Sequence, residues 1–553
     1  MVTISSGARR STRTGDTEGL DMRVTGVAGL RRLSTVPRTS AYCGRRSPRS
    51  RQRGRDCVSL RTRNSRRPKR LSAMSSLAPL QHLLGPRFVD EQERCRRYAI
   101  PERGAPGHTP AVLLPQDEAE LAALLQAAQA ARSPLVVSAG RTGLVEAQRP
   151  EGEAVLSLEK LKRILSIDAG ARTAMVEAGV AVDALNAELE PLGLVWPMEM
   201  GSTSSASVGA CIANGSAGAN AICYGTAAHL ADAVWGLWAD GSAAPETAGP
   251  RWQQPDPQQL VIDSAAPDPA LGLIGTQGVL GLITRARLRL QALPAQREAA
   301  LIPAASMPEA MQILAAARNA FGTDIEEFEF IGQRAMQLVR ELKGAEFRLP
   351  FEKDPQANFY LLLQIKSADP DEDLAGRLYG FLAETLALPD ALIGYAPLKA
   401  LKAIRHSITE ASNHAMKQRG GGRLAFDTAT PIARFGDYLA ALEASLKRDY
   451  PHIDFVAFGH AGVGGAHLHL LGSGERPVAA ESAALIARVF DVTAEFGGTF
   501  SAEHGVGSKW GEEFARRARP SVVQALVAAK RLRDPNLILN PRSFGLDRLV
   551  LEC

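Results

Sequence analysis

The 553 residues, 45% hydrophobic, 22% charged and 5% aromatic, suffice for roughly two or three hydrophobic cores and exclude a disordered or fibrous chain. The formal net charge of +5 is unevenly placed: residues 1–73 hold 18 Arg and one Lys against four acidic groups, whereas the remainder holds 45 basic and 55 acidic residues. The body is therefore acidic and nothing in it asks for nucleic acid, while six scattered cysteines and the lack of a long apolar run exclude a disulfide framework, a cysteine metal site and a transmembrane helix.

Residues 1–73 lack hydrophobic periodicity and read as a disordered basic extension. Three readings of it stay open: an Arg- and Ser-rich organellar transit segment, an arm for nucleic acid, or an extension ahead of the true start, because Met74 opens the first patterned stretch, MSSLAPLQHLLG. The body is expected in the cytoplasm, peripheral to the inner membrane at most, and in the mitochondrion if the tail is a transit segment. Residues 74–104 read as a helical lead-in.

From residue 105 onward strands and helices alternate, which implies sheets covered by helices. Ala111 to Leu114 reads as a short strand, Asp117 with Glu120 as a helix start, and Leu135 to Val137 as a buried strand. Short strands follow around Val155 and Met175, then a helix that Asp183 can start and Gly193 can end. Ala233 to Trp238 reads as a strand and residues 241–270 as a polar surface excursion. In LGLIGTQGVLGLITRARLRLQALP, Leu288 and Leu290 alternate with arginines as in a half-exposed strand. A new unit starts near Leu301, with FYLLLQIKSA as a strand, a helix around Met416, and an order that reads as antiparallel and interleaved.

Two glycine-bearing loops carry chemistry. VVSAGRTGLVEAQRP runs a strand into a turn whose backbone N–H groups can converge on phosphate oxygens, and Arg141 can add charge. MGSTSSASVGACIANGSAGANAICYGTAAHL holds more small residues than a connection needs and almost no charge, which suits backbone lying against a large planar cofactor. Neither has the strand, GxGxxG and helix arrangement of a dinucleotide fold. In GHAGVGGAHLHL a glycine-rich turn separates His460 from His467, and His467 and His469 share one strand face. Together with a glutamate after TAEFGG, these histidines can form a site for a borderline metal.

These loops, with GTQGVLGLITRARLRL, SAEHGVGSK and the ending DPNLILNP, resemble successive motifs of the FAD-dependent 2-hydroxyacid dehydrogenases. That branch of the vanillyl-alcohol-oxidase-type flavoproteins includes D-lactate and D-2-hydroxyglutarate dehydrogenases and the flavin subunit of glycolate oxidase. The resemblance implies an α+β chain: a two-part FAD-binding domain of vanillyl-alcohol-oxidase (PCMH) type at 105–294, then an FAD-linked oxidase C-terminal domain at 295–547 with a mixed antiparallel sheet and helices.

By the resemblance, Ser138, Ala139, Gly140, Arg141, Thr142 and Gly143 wrap the FAD pyrophosphate, and Gly201, Ser202 and Thr203 support the flavin side. Gly209, Asn214 and Gly215 hold the rest of the cofactor, with Ile283 and Asn540 near the isoalloxazine or its entry. Thr142 stands where some relatives attach FAD through histidine, and no histidine lies between Pro110 and His229, which implies noncovalent FAD. The metal residues fall on His460, His467 and Glu503, for a divalent ion such as zinc. Val463 and Gly465 stand where the family has polar side chains. His504 falls on the base that accepts the 2-hydroxyl proton, and Lys509 on a positive residue near substrate. Arg405 and Thr409, four apart on one helical face, fall on the carboxylate contacts. Ala425 replaces a family lysine, with Arg423 nearby, and NPRS at the end leaves the role of Arg542 open.

The function so implied is oxidation of a D-2-hydroxy acid, D-lactate-like or D-2-hydroxyglutarate-like, to the 2-oxo acid, with hydride passing to flavin N5. The alternatives are a glycolate or other hydroxy-acid oxidase, and a non-catalytic flavin-binding subunit. Expected partners are a small anionic 2-hydroxy acid and an acceptor such as electron-transfer flavoprotein, quinone or cytochrome, with a homodimer as the assembly considered.

Overall fold

The computed structural model describes residues 77–552 except Gln254 and Gln356. The basic extension and its three readings lie outside the described residues.

The helix Glu118–Ala131 begins where Asp117 accepts the Glu120 N–H at 2.9 Å, and it buries Leu121, Leu124, Leu125 and Ala128. The strand Leu135–Ser138 pairs in parallel with Ala154–Ser157, in a four-stranded sheet that continues through Val112–Leu113 to Phe88–Val89. Ser138 thus ends a strand, and the first glycine loop springs from the carboxyl edge of a partly parallel sheet, where such sheets place ligands. The C-terminal segment returns to the same strand: the Leu135 N–H donates to Ile538 O at 2.6 Å.

A second, antiparallel sheet orders Ile164–Asp168, Thr173–Glu177, Gly281–Arg289, Ala231–Trp238 and Ala243–Thr247. On its outer face Arg285 and Arg287 lie over the Trp235 ring at 5.6 and 5.5 Å, so the alternation of leucine with arginine marks a half-exposed strand as expected. Asp183 does not cap the helix Val182–Leu189; Ala181 does, and Asp183 sits in the first turn. Gly193, at φ +66°, ends the turn that follows. Residues 241–270 are not all surface. Ile262 and Ala265 are buried, and Ser264 Oγ donates to Ala502 O at 3.0 Å, because this segment seats the SAEHG turn.

The third sheet has seven antiparallel strands, in the order Gly394–Tyr395, Gln296–Ala304, Phe359–Ser367, Ile325–Gly332, Asp454–Gly459, Gly465–Ser473 and Gly420–Ala429. Helices cover both faces. Met307–Phe321 and Ile432–Asp449 pack with Phe328, Leu361 and Leu363, whereas Gln333–Lys343 and Leu398–Arg419 pack with Ile331, Leu362 and Phe458. Two-sided burial explains why FYLLLQ is apolar without alternation. Because strand side chains alternate, Glu327, Glu329, His467 and His469 share the face under Leu398–Arg419, which brings charged groups under one helix.

Candidate functional site

A single cavity of about 560 Å³ is lined by the first glycine loop, the second glycine block, Ile283 and Asn540, and by Arg405, Thr409, His460, His467, Glu503, His504 and Lys509. Its size is that of a cofactor or substrate site.

Three ligand-type atoms converge in it. His460 Nε2 lies 3.1 Å from Glu503 Oε1, His467 Nε2 lies 3.3 Å from the same oxygen, and the two Nε2 atoms are 3.2 Å apart. His460 directly follows the strand Asp454–Gly459, His467 sits on Gly465–Ser473, and the turn Ala461–Val463 with Gly464 at φ +71° folds one back upon the other. Behind His460, its Nδ1 is 2.5 Å from Glu329, whose other oxygen takes the Arg405 Nε at 2.7 Å. Burial opposes a charge on His460, but Glu329 and Glu503 outweigh it and hold the ring up to about 10. His467 is pushed well below its ordinary value by burial and then by His460, so the two rings shift in opposite directions.

Asp427 sets the remaining geometry. Its Oδ2 accepts the N–H groups of Glu503 at 2.9 Å and His504 at 2.8 Å, and its backbone O accepts the Ala502 N–H at 3.1 Å. The turn is thereby pinned to the strand Gly420–Ala429. The His504 ring stacks on His467 at 5.3 Å and 9°, with Nδ1 3.5 Å from Asp427 Oδ2. Burial raises the Asp427 carboxyl above its ordinary value although His504 pulls it down. After His504 the chain escapes through Gly505, at φ +87°, and Gln277 Oε1 accepts the Val506 and Gly507 N–H groups at 3.1 and 2.9 Å. Arg405 and Thr409 both lie on the helix Leu398–Arg419 and line the cavity.

The comparisons with known proteins bear on this arrangement. Residues 109–243 match the FAD binding domain and residues 293–544 the C-terminal domain of FAD linked oxidases. D-2-hydroxyglutarate dehydrogenase of Xanthomonas citri pv. viticola is 30% identical over 443 residues, which is 78% of this chain and 88% of that protein. The mitochondrial D-2-hydroxyglutarate dehydrogenase of Bos taurus is 27% identical, over 86% of this chain and 84% of that one. The chain belongs to the FAD-dependent 2-hydroxyacid dehydrogenase family.

The fold has wider company. 4-Ethylphenol oxidase from Gulosibacter chungangensis superposes with a TM-score of 0.64 at 18% identity, covering 87% of this chain and 98% of that one. For p-cresol methylhydroxylase the TM-score is 0.62 at 15% identity, with 85% and 96% covered. The expected PCMH-type fold with an FAD-linked oxidase C-terminal part is the one observed.

As a member of this family the chain is an FAD-dependent oxidoreductase, and the cavity fits the cofactor. The Ser138 hydroxyl is buried without a partner. Among the described residues no protein acceptor takes the N–H groups of Gly140 to Gly143, and Arg141 is left-handed at φ +60°. Such a run of free donors suits an anionic oxygen cluster. A Cβ on Gly140 would stand 1.9 Å from Ser205 O, so glycine there lets the two loops close on each other. Of the residues expected at FAD, Thr203 and Gly215 do not line the cavity: the Thr203 carbonyl accepts the Asp183 N–H at 3.2 Å, and Gly215, at φ +64°, ends the helix Val208–Asn214. Arg542 is tied to Glu153 at 2.9 Å, away from the cavity lining.

Sequence reasoning missed Glu329 and Gln277 and gave Asp427 no role. All three are buried polar groups inside apolar strands or turns, and a buried charge in the run FEFIG signals a fixed partner. Among the described residues no helix is long and apolar enough to cross a membrane.

Proposed function

We propose that the chain oxidises a D-2-hydroxy acid to the corresponding 2-oxo acid and passes the electrons to a carrier. Residues 105–294 hold the cofactor in this reading, and residues 295–547 supply the substrate and metal groups. The names of the relatives, D-2-hydroxyglutarate dehydrogenases, support the substrate class. The observation that carries it is His504, stacked on His467 beside the convergent His460 and Glu503, in the cavity that the glycine loops also line.

FAD, when bound noncovalently along Ser138–Gly143, Gly201, Ser202, Gly209, Asn214, Ile283 and Asn540, supplies the hydride acceptor and the route for electrons to leave. His460, His467 and Glu503 are the residues that would hold a divalent ion, for which zinc is the proposed identity, and such an ion supplies Lewis acidity toward the hydroxyl oxygen. What supports it is the donor spacing: tetrahedral ligands at about 2.0–2.1 Å from zinc lie about 3.3 Å apart, close to the 3.1, 3.3 and 3.2 Å observed. Glu329 orients His460 through Nδ1, the outer contact that metal-bound histidines need. Val463 and Gly465 add no polar group.

The chain's own residues then divide the work. Arg405 and Thr409 bind the substrate carboxylate, Lys509 adds positive charge, and His504 accepts the hydroxyl proton while Asp427 holds its backbone and ring. Anaerobic mixing with D- and L-enantiomers of 2-hydroxy acids tests this. The D-acid should bleach the flavin and the L-acid should not; an enzyme whose flavin stays oxidised with every acid would be a binding subunit. Reoxidation by air, quinone and electron-transfer flavoprotein then sorts the acceptor, with air expected to be slowest.

A further inference from the structure

The helix Leu398–Arg419 brings two basic side chains to the cavity, and each is tied to a different end of the site. Arg405 donates to Glu329, which in turn holds His460. Lys402, three residues earlier, donates from Nζ to Glu327 Oε1 at 2.7 Å and to Glu199 Oε1 at 2.6 Å. Glu327 and Glu329 are alternate residues of the strand Ile325–Gly332, 2% and 1% exposed, so their side chains share one face. The two ion pairs therefore run side by side, with a step of about 4.5 Å along the helix and about 7 Å along the strand. Two such contacts oppose both sliding of the helix along the strand and rolling upon it.

Glu199 comes from the other half of the chain. It stands just ahead of Met200, where the second glycine block begins, and its carbonyl accepts the Ala219 N–H at 3.1 Å. A Cβ on Gly218 would stand 2.1 Å from that carbonyl, so the two ends of the segment 199–219 close on each other at Glu199. Glu199, Gly201, Ser202, Glu327 and Lys402 all line the cavity. One ammonium thus serves two carboxylates, and burial followed by Glu199 raises the Glu327 carboxyl above its ordinary value. Such a cluster is a poor source of stability, because taking the charges out of water offsets their attraction. Its geometry, in contrast, joins three separate elements at one atom.

We infer that Lys402 is a positioning residue: through Glu327 and Glu199 it holds the helix that bears Arg405 and Thr409 at a fixed separation from the glycine block, and so sets where a bound acid stands relative to the cofactor. Lys402 acts through these two carboxylates and needs no contact with the substrate. The inference rests on the oxidation proposed above, and the two can fail separately.

The test follows flavin reduction by D-lactate and D-2-hydroxyglutarate in the FAD-loaded full chain and in Glu199→Ala, Lys402→Met and the double variant. Glu199→Ala should slow the limiting rate about 10- to 100-fold, the scale of an ångström-sized misplacement, while the half-saturating acid concentration and the FAD content change less than about threefold. Lys402→Met should do the same, and the double variant should be no slower than Lys402→Met, because the two partners of one contact do not add. Glu199→Ala decides alone if Lys402→Met does not fold, since the Glu199 side chain is 37% exposed and its loss opens no hole in a core. Unchanged rates or additive losses overturn the inference. So does a raised half-saturating concentration at an unchanged limiting rate, which would make Lys402 a substrate contact, and so does loss of FAD, which would assign Glu199 to the cofactor. If neither acid bleaches the wild-type flavin, the oxidation fails, and the bridge is read from hydrogen exchange of the FAD-loaded protein. Faster exchange in both 198–219 and 398–419 on Glu199→Ala keeps it; a change confined to 198–219 removes it.

Discussion

Glu503 and His504 are neighbours in sequence that face different groups, and one carboxylate makes this possible. Asp427 Oδ2 accepts both of their N–H groups, which fixes the backbone while the side chains part, Glu503 toward His460 and His467 and His504 onto the His467 ring. Under the proposed reading Glu503→Gln lowers metal content and turnover together, since an amide is a poorer ligand than a carboxylate. His504→Ala keeps most metal and FAD but slows flavin reduction about 10²- to 10⁴-fold, the scale of a lost general base. Rapid-mixing reduction rates paired with elemental analysis check both. Fully active protein without metal ends the metal assignment, and unchanged reduction in the His504 variant ends the base assignment. That these two residues matter was legible in SAEHGVGSK. Their joint anchor was not, because Asp427 is 76 positions from Glu503 and no local pattern spans that gap.

At the scale of elements, the ending DPNLILNP shows how a motif carries more structure than its residues announce. Lys530 and Asp534, both 0% exposed, pair at 2.6 Å, and Lys530 Nζ also donates to Val279 O and Leu539 O. Asp534 in turn accepts the Ile538 and Leu539 N–H groups at 2.9 and 2.8 Å. The result delivers Asn540 between the strand Leu135–Ser138 and the Gln277 turn, where its Oδ1 accepts the Val137 N–H and its Nδ2 donates to Gln277 O. Lys530→Met strands a buried carboxylate, and the expected destabilisation is about 3–5 kcal/mol, the usual cost of breaking a buried pair from one side. Urea unfolding of the FAD-loaded variant measures it; a loss below about 1 kcal/mol would mean that the pair breaks even with its desolvation. The spacing of Lys530 and Asp534, four apart on a helix, is visible in the sequence. Their complete burial is not, since it depends on the strand Leu135–Ser138 and the Val279 turn closing over them.

For the molecule as a whole, the cavity draws residues from Glu102 to Asn540, so FAD bound there would contact both the N-terminal and the C-terminal parts of the chain. The first loop offers Thr142 and no histidine, and the cavity histidines His406, His460, His467, His469 and His504 all come from the C-terminal half. FAD should therefore leave with acid: precipitation is expected to put the yellow cofactor in the supernatant, and flavin in the pellet would reveal a covalent bond. Because the ligand binds the folded state alone, its removal should also lower Tm, read by comparing melting curves with and without added FAD.

The sequence by itself determined what depends on short-range geometry. The helix starting at Asp117, the strand around Val137, the shared face of His467 and His469 and the four-residue step from Arg405 to Thr409 all follow from periods of 3.6 and 2 residues. The order of the glycine and histidine motifs was enough to identify the family. Only the tertiary structure decided which of these residues meet and with what charge. Glu329 joins Arg405, 76 positions away, to His460, 131 positions away, and part of the 241–270 segment turns inward at Ile262, Ser264 and Ala265 to seat the SAEHG turn. Contacts of that kind form when sheets and helices close over one another, and their energetics depend on burial, which no local stretch of sequence records.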